Sequence, residues 1–99
     1  MADLVDQARD ALRQVLDPEA GLNIVDLGLI YGIEAQDGVV TVTMTFTSPG
    51  CPAGQMLAES ARQVIEAIPG VRSAVVEITF EPAWTPESIS PDGRALLGS

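Results

Sequence analysis

Histidine and lysine are absent from this 99-residue sequence, and cysteine occurs once, as Cys51. Without histidine the chain lacks the commonest general base and the commonest metal ligand. It therefore cannot build a Cys–His or Ser–His catalytic pair, or a zinc site of the usual Cys/His type, by itself. A single cysteine also excludes an internal disulfide, and no apolar run approaches the roughly 20 residues that cross a bilayer.

Positive charge is scarce as well. Five arginines stand against 14 acidic residues, which gives a net charge of −9. The arginines are scattered and form no basic stripe, so we expect neither nucleic-acid binding nor attachment to an anionic membrane surface. The N-terminal residues carry charge from Asp3 onward and lack the pattern of a secretory signal, so we predict a cytoplasmic protein.

The composition is that of a folded domain. Apolar residues make up 46% of the chain and charged residues 19%, which predicts one globular domain over residues 1–99. Its first element is a helix capped by Asp3, with an apolar stripe that runs from Leu4 to Leu16. We expect this helix to stop at Asp17, because a following proline disfavours helical geometry.

The remaining periodicity predicts two strands, a helix and a third strand. The first strand is expected at Leu29 to Ala35, and Asp37-Gly38 predicts a hairpin into the alternating run VVTVTMTF. A second helix follows, with a stripe from Met56 to Ile68, and VRSAVVEITFE alternates again. The order α-β-β-α-β predicts a two-layer α+β fold, with a mixed three-stranded sheet and helices on one face.

The stretch FTSPGCPAG holds the single thiol between a strand and a helix. Because proline suits the first position of a helix, Cys51 is predicted at or beside the helix N-cap, with Pro52 opening the helix. The positive end of the helix would there lower the pKa of the thiol and raise its reactivity. The alternative is a buried and inert cysteine, the commoner fate of a free thiol.

Three acidic residues are candidates for a site beside the thiol. Asp26 lies among apolar residues in NIVDLGLI, and it either holds the turn through hydrogen bonds or contributes to a site near the thiol. Asp17 and Glu19 flank a proline, and a solvated turn is the default expectation for both. Trp84, the single tryptophan, is interpreted as a core or lid anchor, with contact to a partner as the alternative.

Several short motifs together resemble a known family. DPE at residues 17–19, NIVDLGLIY at residues 23–31, TSPGCP at residues 47–52 and PAWTP at residues 82–86 occur in this order. The chain resembles the metal–sulfur cluster assembly family that includes SufT and PaaD. The resemblance implies an iron–sulfur assembly fold, and site residues at Asp17, Glu19, Asp26 and Cys51, with two hydroxyl residues, Thr47 and Ser48, beside the cysteine.

The resemblance further implies a non-enzymatic role in maturing or delivering iron–sulfur clusters, with the assembly machinery and client apoproteins as partners. Cys51 would donate one ligand to a labile cluster, and a partner or a homodimer would supply others, because such clusters take about four ligands. An adaptor that binds no cluster fits the sequence equally well. A thiol enzyme or redox sensor that uses Cys51 is the alternative, and a purely structural interaction domain is the third.

Overall fold

The computed structural model describes residues 3–18, 20–47, 50 and 53–96, and this part of the chain folds into helices and short strands. In chain order the elements are α1 (Leu4–Leu12), β1 (Leu16–Asp17), β2 (Leu22–Asn23), β3 (Ile30–Gln36), β4 (Val39–Met44), α2 (Gly54–Glu66), β5 (Ser73–Ile78), a 3-10 turn (Pro86–Ser88) and α3 (Pro91–Leu96). Strands β3, β4 and β5 form one sheet in that order. The predicted α+β class and mixed three-stranded sheet are confirmed.

The hairpin between β3 and β4 forms where the sequence predicts it. Asp37 and Gly38 have φ angles of 53° and 82°, the pair of positive values that a two-residue hairpin turn requires. Gln36 pairs with Val39 across this turn, and the two strands run antiparallel. After α2 the chain returns to β5, which lies parallel to β4. The helical return therefore places β4 at the centre of the sheet.

The apolar core lies between the sheet and helices α1 and α2, which contact each other and the sheet. Alternation along β4 buries every second side chain, as predicted, and α2 contributes residues spaced four apart. Met56 departs from the predicted stripe and is 54% exposed, because it sits about 100° around the helix from its buried neighbour Leu57. The fully buried cluster includes Ala8, Leu12, Val40, Val42, Met44, Leu57, Ala61 and Ile65.

Helix α1 is shorter than its apolar stripe predicts. Asp3 caps it as expected, accepting a hydrogen bond from the Asp6 amide at 2.9 Å. The helix ends at Leu12, however, and Leu16 is 60% exposed in strand β1. The prediction that Leu16 continues the buried stripe is wrong, because β1 turns away to pair with β2. This two-stranded ribbon is the element that periodicity did not predict.

The chain after β5 folds back across the molecule through residues 82–93, which include the 3-10 turn and the start of α3 and which we call the 82–93 segment. The Tyr31 hydroxyl donates to the Pro82 carbonyl at 2.7 Å, and the Ser90 amide donates to the Asp26 carbonyl at 2.7 Å. Gly28 has a φ of 85° and lies directly against the Ser88 backbone. The segment is therefore held along residues 26–31, the stretch that leads into β3.

Candidate functional site

A pocket of about 340 Å³ opens where the β1–β2 ribbon, the end of the sheet and the 82–93 segment meet. It is lined by Asp17, Ala20, Leu27, Thr47, Trp84, Pro86 and Ile89. Two larger grooves, one between α1 and α2 and one beside the β3–β4 turn, contain none of the predicted site residues. The pocket brings together two of those residues, Asp17 and Thr47, from distant parts of the sequence.

Asp17 is buried, contrary to the expectation of a solvated turn. Its residue exposure is 1%, and one carboxylate oxygen accepts a hydrogen bond from the Ala20 amide at 3.3 Å. Its carbonyl accepts another from the Gly21 amide at 2.8 Å, which closes a tight turn. The ribbon causes this burial: pairing of Asp17 with Leu22 turns the carboxylate inward while the preceding leucine faces solvent. An acidic group therefore lies at the wall of an otherwise mainly apolar pocket.

Thr47 reaches the pocket from the chain that leaves β4. Two residues earlier, the Thr45 amide donates to the Leu29 carbonyl at 2.8 Å, which extends the contact with the β3 side beyond the regular strand. Thr45 is fully buried, although the alternation of VVTVTMTF puts it on the same face as the half-buried Thr41 and Thr43. The half-buried Thr47 follows and adds a hydroxyl to the pocket.

Trp84 forms part of the pocket wall. Its indole N–H donates to the Leu27 carbonyl at 2.7 Å, and its side chain is half-buried. This geometry agrees with the interpretation of Trp84 as an anchor. Pro86 and Ile89, which line the pocket beside it, were not predicted as site residues. The PAWTP motif marked this segment, but its pairing with residue 27 depends on the tertiary fold.

Asp26 is not among the residues that line the pocket. One carboxylate oxygen accepts from the Asn23 side-chain amide at 2.8 Å, and the other accepts from the Ser90 hydroxyl at 3.0 Å. The Asp26 amide in turn donates to the Asn23 side-chain oxygen at 2.9 Å. Of the two interpretations of Asp26, these contacts favour the structural one, because the carboxylate holds the turn and the 82–93 segment together.

Cys51, Glu19 and Ser48 lie outside the residues that the structure describes. The start of α2 is described, and it lies two residues later than predicted: the helix begins at Gly54, and Ala53 occupies the N-cap. The first helical residue packs closely against the chain that leaves β4, because the ring of Phe46 occupies the space that a side chain on Gly54 would need. The described helix therefore does not begin at Pro52, and the prediction that Cys51 lies at or beside the N-cap falls outside the described residues.

Ion pairs between arginines and carboxylates lie at the surface of helices α1 and α2. Arg62 contacts both Glu59 and Glu66 on α2, and its hydrogen bond holds the pKa of Glu59 below the ordinary value of 4.5.

Over residues 3–18, 20–47, 50 and 53–96, no group of three or more acidic side chains is arranged to hold a metal ion. Nor does this part of the chain contain a helix long and apolar enough to cross a membrane.

The fold and its motifs define the class of protein. Residues 5–78 match the family described as iron–sulfur cluster assembly protein, and the chain belongs to that family. The resemblance to SufT-like and PaaD-like proteins, predicted from the motifs, is confirmed.

Individual relatives agree with this membership. The chain is 44% identical over 88 residues to an Fe-S protein maturation auxiliary factor of Porphyromonas gingivalis, covering 88% of this chain and 84% of the relative. It is 41% identical over 85 residues to the Fe-S protein maturation auxiliary factor SufT of Staphylococcus aureus, covering 85% of this chain and 97% of SufT. A crystal structure of a DUF59 domain from Bacillus anthracis superposes with a TM-score of 0.92 at 32% identity, covering 96% of this chain and 92% of that one.

Proposed function

We propose that this protein serves in the maturation of iron–sulfur proteins, as a carrier or adaptor rather than an enzyme. The observation that carries the proposal is the pocket, which gathers Asp17 and Thr47 from two separate family motifs. Two curated relatives bear the name of Fe-S protein maturation auxiliary factor over nearly the same length of chain. We propose the pocket, together with Cys51, as the working site.

Covalent connectivity supports a thiol close to the pocket. Cys51 follows Thr47 by four residues, a distance that even an extended chain limits to about 14 Å. It precedes Ala53 by two residues, which limits that distance to about 7 Å. The methyl side chain of Ala53 cannot accept a hydrogen bond, so the first-turn amides of α2 need an acceptor from elsewhere. A thiolate close to these amides would be stabilised, and its pKa would fall.

The ligand chemistry fits transfer better than storage. An iron–sulfur cluster takes about four ligands, usually thiolates, and this chain has one cysteine and no histidine. Cys51 would therefore donate a single ligand, with the rest from small thiols, a second copy of the chain or the client. The cluster is cargo in this scheme. A cluster held by so few ligands from one protein exchanges readily, which suits delivery to a client apoprotein.

The test is maturation of a client enzyme in a host that lacks this protein. We expect Cys51→Ser to reduce the activity of a [4Fe–4S] enzyme to the level of the empty host, and Asp17→Ala to reduce it in part. Gln36→Ala, an exposed substitution on β3 remote from the pocket, is the matched control and should restore full activity. Full rescue by Cys51→Ser would overturn the proposed role of the thiol.

Anaerobic reconstitution with iron and sulfide separates the carrier from the adaptor. A carrier gives cluster absorbance in the wild type, and Cys51→Ser loses that absorbance. An adaptor gives no absorbance in either variant while client maturation by the wild type persists.

A further inference from the structure

The 82–93 segment supplies three of the side chains that line the pocket: Trp84, Pro86 and Ile89. The rest of the lining comes from the ribbon, from the exit of β4 and from Leu27. The pocket therefore has its described shape only while this segment stays in place. Whatever fixes the segment also fixes the pocket.

Asp26 is a residue that joins the turn after β2 to the 82–93 segment. Its carboxylate oxygens accept from the Ser90 hydroxyl and from the Asn23 amide, and its carbonyl accepts from the Ser90 amide. The Ser90 hydroxyl also accepts a hydrogen bond from the Gly93 amide at 3.0 Å, which caps α3. One carboxylate thus links the turn after β2 to the start of α3.

The two residues that follow Asp26 also contact the segment. The Leu27 carbonyl accepts the indole N–H of Trp84, and Gly28 packs against the Ser88 backbone. Three consecutive residues, 26–28, therefore hold three points of the 82–93 segment. Loss of the carboxylate would leave the backbone hydrogen bond from Ser90 to Asp26 in place but would weaken the hold on the end of the segment next to Ile89, a residue of the pocket wall.

We propose that Asp26 is a positioning residue, which acts through Ser90 to hold the 82–93 segment as the wall of the pocket. The proposal deepens the proposed function and rests on it for its consequence in maturation. It assigns the acidic residue of NIVDLGLIY a role different from direct contact with Cys51. A direct role requires the charge of Asp26 at the thiol, whereas a positioning role requires an oxygen acceptor for Ser90.

The indole N–H of Trp84 reports directly on the segment, because the chain has one tryptophan and its signal is unique in a nitrogen-15 spectrum. Its hydrogen exchange measures how often the hydrogen bond to Leu27 opens. Exchange of the Val42 amide, in the centre of the core, separates local opening from global unfolding. The two rates together report the position of the segment without any need for client activity.

Four variants decide the question. Ser90→Ala removes the hydroxyl, and Asp26→Ala removes both carboxylate oxygens. Asp26→Asn removes the charge but keeps one side-chain oxygen that can accept from the Ser90 hydroxyl. Ser60→Ala, a half-buried serine on α2, is the matched control. We expect Ser90→Ala and Asp26→Ala to accelerate exchange of the Trp84 indole on the order of tenfold, the ratio for one lost hydrogen bond to a charged acceptor. The exchange rate of the Val42 amide should change far less.

We also expect Ser90→Ala to reduce client maturation, and Asp26→Asn and Ser60→Ala to retain most of it. The proposal is overturned if Ser90→Ala leaves indole exchange unchanged, or if Asp26→Asn abolishes maturation while indole exchange stays at the wild-type rate. If Asp26→Ala fails to fold, Ser90→Ala and Asp26→Asn still decide. Failure of the proposed function would appear separately, as full maturation by Cys51→Ser.

Discussion

Gly28→Ala is the substitution that most directly tests how the 82–93 segment is held. Gly28 has a φ of 85°, in the left-handed region that disfavours side chains. A Cβ at this position would lie 2.2 Å from the Ser88 carbonyl oxygen and 2.7 Å from the Ser88 Cβ, whereas real Cβ contacts essentially never fall below 3.0 Å. The obstacle is mainly backbone, so the segment must move to admit the methyl group.

The cost has two parts. Left-handed geometry costs alanine about 1–2 kcal/mol, and the smaller conformational freedom of the unfolded alanine chain offsets about 0.4–1 kcal/mol of this. Displacement of the segment breaks the hydrogen bonds from Trp84 to Leu27 and from Ser90 to Asp26, each with a net contribution of about 0.5–1.5 kcal/mol. We therefore expect Gly28→Ala to lower the free energy of unfolding by about 1–4.5 kcal/mol.

Gly21→Ala is the matched control. Gly21 also has a positive φ, 68°, but no described atom lies within 4 Å of the position its Cβ would take. It should show the backbone strain alone, a loss of about 0–1.5 kcal/mol. Urea unfolding followed by circular dichroism gives both values, and Trp84 emission should shift in the Gly28 variant only. Equal losses with unchanged emission in both variants would refute the close packing of Gly28 against the segment.

Two further predictions concern the surface and the core. Arg62 lowers the pKa of Glu59 in the folded protein, so this carboxylate stabilises the fold above its ordinary pKa of 4.5. The contribution is lost as the pH falls below that value. In Arg62→Gln, NMR titration should find the pKa of Glu59 raised toward 4.5. Met44→Ala should lower the free energy of unfolding by about 2–5 kcal/mol, and Met56→Ala by less than about 0.5 kcal/mol, because the two methionines are 0% and 54% exposed. Similar losses in the free energy of unfolding from the two methionine variants would contradict the assigned burial. An unchanged pKa of Glu59 in Arg62→Gln would contradict the assigned role of Arg62.

The sequence predicts those parts of the fold in which a periodic pattern extends over many residues or a turn has a specific residue pair. Alternation over residues 39–44 and the Asp37-Gly38 pair define the hairpin, and both lie where expected. The β1–β2 ribbon has two residues per strand, too few for any periodic pattern. The buried Val15 extends the apolar stripe past the true end of α1, which is why the helix was predicted too long.

The candidate site was predictable in its residue types and only partly in its arrangement. The motifs selected Asp17 and Thr47, and both line the pocket. They also selected Asp26, whose contacts turn toward Ser90, a residue 64 positions away. Local sequence cannot anticipate such a partner, because the contact exists only after the 82–93 segment has crossed the molecule. The predicted roles of Glu19, Ser48 and Cys51 stay predictions.

The anchoring of the 82–93 segment has a consequence for the order of folding. The hydrogen bonds from Tyr31, Trp84 and Ser90 that hold it join residues 51, 57 and 64 positions apart. Contacts over such separations form late, because a long loop must close, at a cost in chain entropy, before they can stabilise the fold. A folding chain can therefore have its core in place while the pocket still lacks a wall.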